Sequence, residues 1–178
     1  MGDNEPEAVA GMVERLDGSR LASAYARHFP MAVRLAYLLT GDAELAKDLA
    51  QDAFVKLTGR YFQYRSDASF EAYLRQTVVN LARSHGRRRR VEAERIERLR
   101  AERAPGLAGS DPVERQESLR LLSLLTHKQR AAVVLRLYED LSERETAELL
   151  GCRPGTVKSL LSRAMDVLRA ELKEEGHG

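Results

Sequence analysis

The chain has 178 residues, 43% hydrophobic and 31% charged, with a formal net charge of +2 and no tryptophan. That length suits one domain or two small ones, and the overall charge is too small to argue for or against a polyanionic partner. Cys152 is the lone cysteine, which excludes an internal disulfide and a multi-cysteine zinc site.

No apolar run approaches the roughly 20 residues that span a bilayer. The acidic N-terminus lacks the positive start and apolar core of a signal peptide. These features point to a cytoplasmic protein without membrane insertion. Residues 1–18 are acidic and weakly patterned and read as a mobile tail, with a helical turn around 12–16.

From Leu21 the helical period takes over. Leu21, Tyr25, Phe29, Ala32, Leu35, Ala36 and Leu39 share one face, and Pro30 predicts a kink or two abutting helices. Thr40, Gly41 and Asp42 end this element and cap the next. Over 43–58, Leu45, Leu49, Ala53 and Leu57 form a stripe widened by Ala46, Ala50 and Phe54. Glu44, Asp48, Gln51 and Asp52 are left outward, as either a solvated face or a docking surface for a basic partner.

The segment 61–69 reads as a loop in which Tyr61, Phe62 and Tyr64 adjoin Arg65. Such rings either pack on the domain or stack unpaired bases. The next helix, 70–84, turns Phe70, Leu74, Thr77, Val78 and Leu81 inward. Arg75, Asn80, Arg83 and His85 fall on or beside a different face. Arg87, Arg88, Arg89 and Arg90 follow at once, so one end of this helix concentrates cations suited to phosphate contact through counterion release.

Residues 91–103 alternate Glu and Arg with too little apolar surface to fold alone. The stretch 104–112, dense in Gly and Pro, is a linker. Asp111 and Pro112 restart a helix as cap and first residue, and Leu119, Leu122 and Leu125 give it an apolar face. Thr126 with Gln129 is a capping box, opening a helix with Ala131, Val134, Leu135 and Tyr138 inward.

Ser142 with Glu145 repeats the box, Ala147 and Leu150 form a short apolar face, and Gly151 ends the helix by tolerating positive φ. Cys152 beside that turn reads as a small buried apolar residue. Pro154 presets the first turn of a last helix, which runs to about 172 with Val157, Leu161, Ala164, Val167 and Leu168 inward. Two helices across a Gly-containing turn form a helix-turn-helix. Thr156, Lys158, Ser159, Ser162 and Arg163 fall off the buried stripe, and hydroxyls and cations at a helix head suit a DNA major groove. On spacing alone, an ordinary helical hairpin with a solvated cationic face is the equal alternative.

No strand-period segment competes with these helices. The expected fold is all-α, with two small helical domains over 19–90 and 112–173 joined by a flexible linker over 91–111.

Three stretches, taken in order, carry a family resemblance: Asp48 with Gln51, Asp52 and Phe54; Phe70 through Asn80 with the arginines 87–90; and Leu141 through Ser159 with Arg163 and Ala164. They resemble the core-binding, promoter-melting and promoter-reading motifs of bacterial extracytoplasmic-function (ECF) sigma factors, within the sigma-70 superfamily. The set is similar to the actinobacterial sigma-E-like group.

The resemblance implies a minimal sigma factor holding only the second and fourth sigma domains. Its partners would be core RNA polymerase, at the clamp helices and flap of the large subunits, and promoter DNA, both duplex and single-stranded. An anti-sigma factor is a candidate third partner. Asp48, Gln51, Asp52 and Val55 would dock on core. Tyr64, Arg65, Arg75, Asn80, Arg83, Arg87 and Arg88 would capture the −10 element, with Asn80 lining a pocket for a flipped base beside the loop 61–69. Arg153, Thr156, Lys158, Ser159, Ser162 and Arg163 would read the −35 element. No catalytic residue, metal or cofactor is implied.

Two positions depart from the pattern. Arg153 stands where many relatives have a capping Ser or Thr, and Leu160 stands where arginine is common, which would remove one backbone or base contact. Two other classes compete with this reading. A stand-alone helix-turn-helix regulator would leave the first domain without a role. A nuclease would need clustered carboxylates or paired histidines, whereas His28, His85, His127 and His177 are scattered along the chain and the acids near Asp48 lie on one helix face.

Overall fold

The structure, a computed structural model, describes residues 5–58, 66–97 and 113–175, with side chains described over 21–57, 66–89 and 117–173. The predicted loop residues Tyr61, Phe62, Tyr64 and Arg65, the linker 98–112 and His177 lie outside the described residues. So does the cap expected of Asp111 and Pro112.

Every regular element among the described residues is helical. In chain order they are α1 (Glu5–Thr40), α2 (Ala43–Thr58), α3 (Asp67–Glu97), α4 (Val113–Ser123), α5 (His127–Val133) with a wide π-helical turn at Val134–Tyr138, α6 (Glu143–Leu150) and α7 (Pro154–Glu175). α1 takes in most of the stretch read as a tail. It also passes through Pro30 as one helix rather than two. Proline removes one ladder bond, but Pro30 is exposed while Ala32, Leu35 and Ala36 beyond it are fully buried. Packing of that face outweighs one missing bond. α3 likewise exceeds its expected span of 70–84, starting at Asp67 and continuing through the arginine run to Glu97.

The joint between α1 and α2 is the one the sequence indicated. Gly41 takes a positive φ of 74°, which glycine adopts without a Cβ penalty, and its N–H donates to the Tyr37 carbonyl at 2.7 Å. Asp42 Oδ1 accepts from the Leu45 N–H at 3.1 Å and so caps α2. α1, α2 and α3 then close on Leu35, Phe54, Phe70, Leu74, Val78 and Val79, each at most 2% exposed. Burying side chains of this size contributes about 1.5–3 kcal/mol apiece. An aromatic file runs through this core: Tyr25 stacks on Phe29 at 4.4 Å, and Phe54 sits edge-on to Tyr25 at 5.0 Å and to Phe70 at 5.7 Å.

In the C-terminal half both capping boxes form. Thr126 exchanges bonds with Gln129 ahead of α5, and Ser142 with Glu145 ahead of α6. Tyr138 departs from its expected inward position and is 41% exposed. The π-helical turn explains this: one extra residue in the turn rotates everything after Val134 out of the 3.6-residue phase. In α7 Val157 and Ala164 are buried as expected and Leu161 and Leu168 pack half-buried beside them, but Leu160 is buried as well and Val167 is 36% exposed. Leu160 is therefore a core residue and not a groove-facing position that has lost an arginine. Cys152 is half-buried and packs at the edge of the core.

The halves pack together. One contiguous cluster runs from Leu35, Phe54 and Leu74 to Ala132, Val134, Leu135, Leu150 and Leu160. Leu125, Val133 and Ala164 form a second, small cluster belonging to the C-terminal half alone.

Candidate nucleic-acid interface

The helix-turn-helix is assembled from local bonds. The Cys152 N–H donates to the Ala147 carbonyl at 2.9 Å and the Gly151 N–H to the Glu148 carbonyl at 3.1 Å. With Gly151 at φ 59°, this is a Schellman stop for α6. α7 begins at once. Arg153 offers it a backbone carbonyl, which accepts from the Thr156 N–H at 2.9 Å, but its side chain has no oxygen with which to cap, so the arginine is exposed and uncommitted to that role.

Thr156, Lys158, Ser159, Ser162 and Arg163 are all exposed along the first turns of α7, with Val157 and Leu160 beneath them. Three of the five have resting partners in the protein. Lys158 Nζ lies 3.7 Å from Glu143 Oε2 on α6. The Ser159 hydroxyl donates to the Gly155 carbonyl at 3.0 Å, and Arg163 Nε donates to the Ser159 carbonyl at 3.2 Å. Exposed contacts of this kind are each worth at most about 1 kcal/mol and are readily exchanged for DNA acceptors.

The second surface lies on α2. Asp48, Gln51, Asp52 and Val55 are exposed at three- and four-residue spacing, opposite the buried Leu49, Ala50 and Ala53. Val55 is 66% exposed, a branched apolar side chain set among acids. Lys47, beside them, is held by Glu44 at 2.8 Å, and that bond raises the ammonium pKa.

The third surface, on α3, is divided. Asn80, Arg87 and Arg88 are exposed. Arg75 is turned toward the other half of the molecule: its Nε donates to Glu139 Oε2 at 2.6 Å and its Nη2 to Glu71 Oε1 at 2.8 Å. Arg83 Nη1 donates to the Leu149 carbonyl at 3.1 Å. The sequence put Arg75, Asn80 and Arg83 on or beside a face away from the buried stripe and the arginine run at one end, and nothing in it paired α3 with Glu139 or Leu149.

Two of the histidines that lie far apart in sequence come together. A Cβ placed on the buried Gly86 of α3 would lie 3.4 Å from the imidazole of His127 on α5. Burial, with Arg88 and Arg89 nearby, pushes His85 below its ordinary value, and burial with Arg130 and Arg89 does the same for His127. His28 is 5% exposed, with Asp67 and Glu71 about 4 Å from its nitrogens. Burial lowers its pKa against the opposing pull of Glu71. Among the described residues no group of His, Cys, Asp and Glu is arranged to hold a metal ion, and no helix is long and apolar enough to cross a membrane.

Residues 24–92 match the family model for sigma-70 region 2 and residues 115–168 that for sigma-70 region 4. The RNA polymerase sigma-E factor of Streptomyces avermitilis is 37% identical over 145 residues, covering 79% of this chain and 78% of that protein. The ECF RNA polymerase sigma factor EcfG of Rhodopseudomonas palustris is 30% identical over 148 residues, covering 83% and 82%. Among solved structures, the sigma factor RpoE of Bartonella quintana, in complex with the anti-sigma factor NepR, superposes with a TM-score of 0.65 at 26% identity, over 85% of this chain and 96% of that one. CnrH, in complex with the cytosolic domain of CnrY, shares the fold at a TM-score of 0.58 and 22% identity.

Proposed function

The chain belongs to the ECF RNA polymerase sigma factors, and from that membership we propose how its surfaces divide the work of promoter-specific transcription initiation. As in the rest of the family, the role is that of a specificity subunit without a catalytic site of its own. α2 docks on core RNA polymerase in the cytoplasm, with Asp48, Gln51 and Asp52 supplying charge and hydrogen bonds and Val55 an apolar contact. α3 captures the −10 element as single-stranded DNA. Asn80 bonds a flipped base there, and Arg75, Arg83, Arg87 and Arg88 attract the backbone, together with Tyr64 and Arg65 of the preceding loop. Unstacking a base costs a few kcal/mol, so polar groups already fixed on a rigid helix lower the cost of capture. The head of α7 enters the −35 major groove with Arg153, Thr156, Lys158, Ser159, Ser162 and Arg163.

The observation that carries this reading is the run of exposed hydroxyls and cations on the first turns of α7, over a buried line of Val157, Leu160 and Ala164. That is the half-buried, half-presented geometry a recognition helix needs. An anti-sigma factor is a further partner, by analogy with the complexes of RpoE with NepR and of CnrH with CnrY.

The test is co-purification with bacterial core polymerase and run-off transcription on fragmented genomic DNA. Stable binding with discrete start sites is the expected result. Tight duplex binding without core binding would move the protein to the stand-alone regulators. By parts, Asp52→Arg places a cation on the docking face and abolishes core binding. Lys158→Ala leaves core binding intact and weakens −35 recognition about tenfold, in line with about 1–3 kcal/mol for a good base contact. Wild-type transcription from both variants would overturn the assignments.

A further inference from the structure

The carboxylates of α6 have separate commitments. Glu145 closes the capping box, accepting from the Ser142 N–H at 2.8 Å. Glu148 lies 4.0 Å from Arg144, one turn back on the same helix. Glu143 instead reaches across to α7, with Oε2 3.7 Å from Lys158 Nζ. On the presented face of α7, the resting contacts of Ser159 and Arg163 stay within their own helix. That of Lys158 comes from another element.

The carboxylate is delivered from a fixed backbone. Glu143 is the first residue of α6, directly after the capping Ser142, whose hydroxyl accepts from the Glu145 N–H at 3.2 Å. α6 packs against α7, and Ala147, Leu150 and Val157 are buried. The Glu143 side chain is 36% exposed and that of Lys158 70%. The more enclosed partner therefore sets where the ammonium rests.

A lysine left free is a poor reader of sequence. Its ammonium is a point charge on a flexible stem and binds any phosphate, a contact that carries no base information. A carboxylate beside it changes both terms. It repels phosphate, which penalises the non-specific register, and it holds the ammonium at one place. With three donors, the ammonium can meet guanine O6 and N7 or thymine O4 while Glu143 stays beside it.

We propose that Glu143 is a specificity-determining residue for −35 recognition, a positioning residue that acts through Lys158. The inference rests on the assignment of Lys158 to the −35 element above. An exposed ion pair shifts a population by at most about fivefold, so Glu143 tunes preference and not competence.

The test uses the reconstituted holoenzyme and a promoter mapped by run-off transcription. Only its −35 segment is randomised, and each template in the pool carries a transcribed barcode. Sequencing the transcripts gives the base preference at every −35 position. Glu143→Gln keeps the shape and removes the charge. It is expected to lower the preference about threefold at the positions that Lys158→Ala also flattens, and to leave the other positions as they are. In the Lys158→Ala background, Glu143→Gln is expected to change nothing further.

Equal effects of Glu143→Gln with and without Lys158 overturn the proposal, because loss of an acid at a helix start acts in either background. A uniform change at every position also overturns it, since general charge or stability would explain that result. If Lys158→Ala flattens its positions and Glu143→Gln does not, the positioning role fails and the −35 reading stands. If Lys158→Ala changes no preference, the −35 assignment of Lys158 fails and the proposal falls with it.

Discussion

The two halves are built on different terms. α1, α2 and α3 enclose their own core, with Leu35, Phe54, Phe70 and Leu74 buried around an aromatic file. Among the described residues the C-terminal half has one small cluster of its own, Leu125, Val133 and Ala164, while Val134, Leu135, Leu150 and Leu160 join the core of the first half. The C-terminal half is thus a small unit in which α5, α6 and α7 pack on one another while Val134 and Leu135 are shared with the first half. It is held in shape by caps and turns and in place by its neighbour, which suits a reading head that must be repositioned.

The largest effect should come from the shared core. Phe54→Ala should cost about 3–5 kcal/mol in denaturant unfolding. Because the core is continuous, both halves should unfold in one transition, and two resolved transitions would break the comparison. Leu125→Ala should cost about 2–3 kcal/mol, within the range for such truncations. Its loss of amide-exchange protection should stay within α4, α5 and α7, and matching losses in α2 would show that the small cluster is not separate.

Ser142→Ala should cost about 1 kcal/mol by uncapping α6. The melting temperature of the whole protein should fall modestly, while the α6 amides lose protection first. The smallest effect is that of pH. His28 titrates below its ordinary 6.5 in the folded chain, so between the two values the unfolded state binds more protons and stability rises with pH. Acidification through about 6.5 should therefore destabilise the protein, and His28→Gln should flatten that slope. An unchanged slope would assign the effect to His85 and His127 instead.

Much of the fold is legible in residues three or four apart. The Thr126 and Ser142 boxes, the left-handed stop at Gly151 and the stripe of α2 all form as the sequence indicates, because each needs only its own neighbours. The exposure of Asp48, Asp52, Lys158 and Arg163 follows from the same stripes. Tyr138, Leu160 and Arg75 do not behave as the periodicity suggests. For each the reason is a contact or a phase that periodicity omits: a π-helical turn before Tyr138, a core beneath Leu160, and a carboxylate from another helix against Arg75.

The sequence by itself determined the helices, their caps, the helix-turn-helix and the order of the three family motifs, since short-range hydrogen bonds and apolar spacing are written residue by residue. Only the tertiary structure decided which cations remain open to a partner. Whether an arginine is free depends on the oxygen that packs against it, and for Arg75 that oxygen belongs to Glu139, 64 residues away.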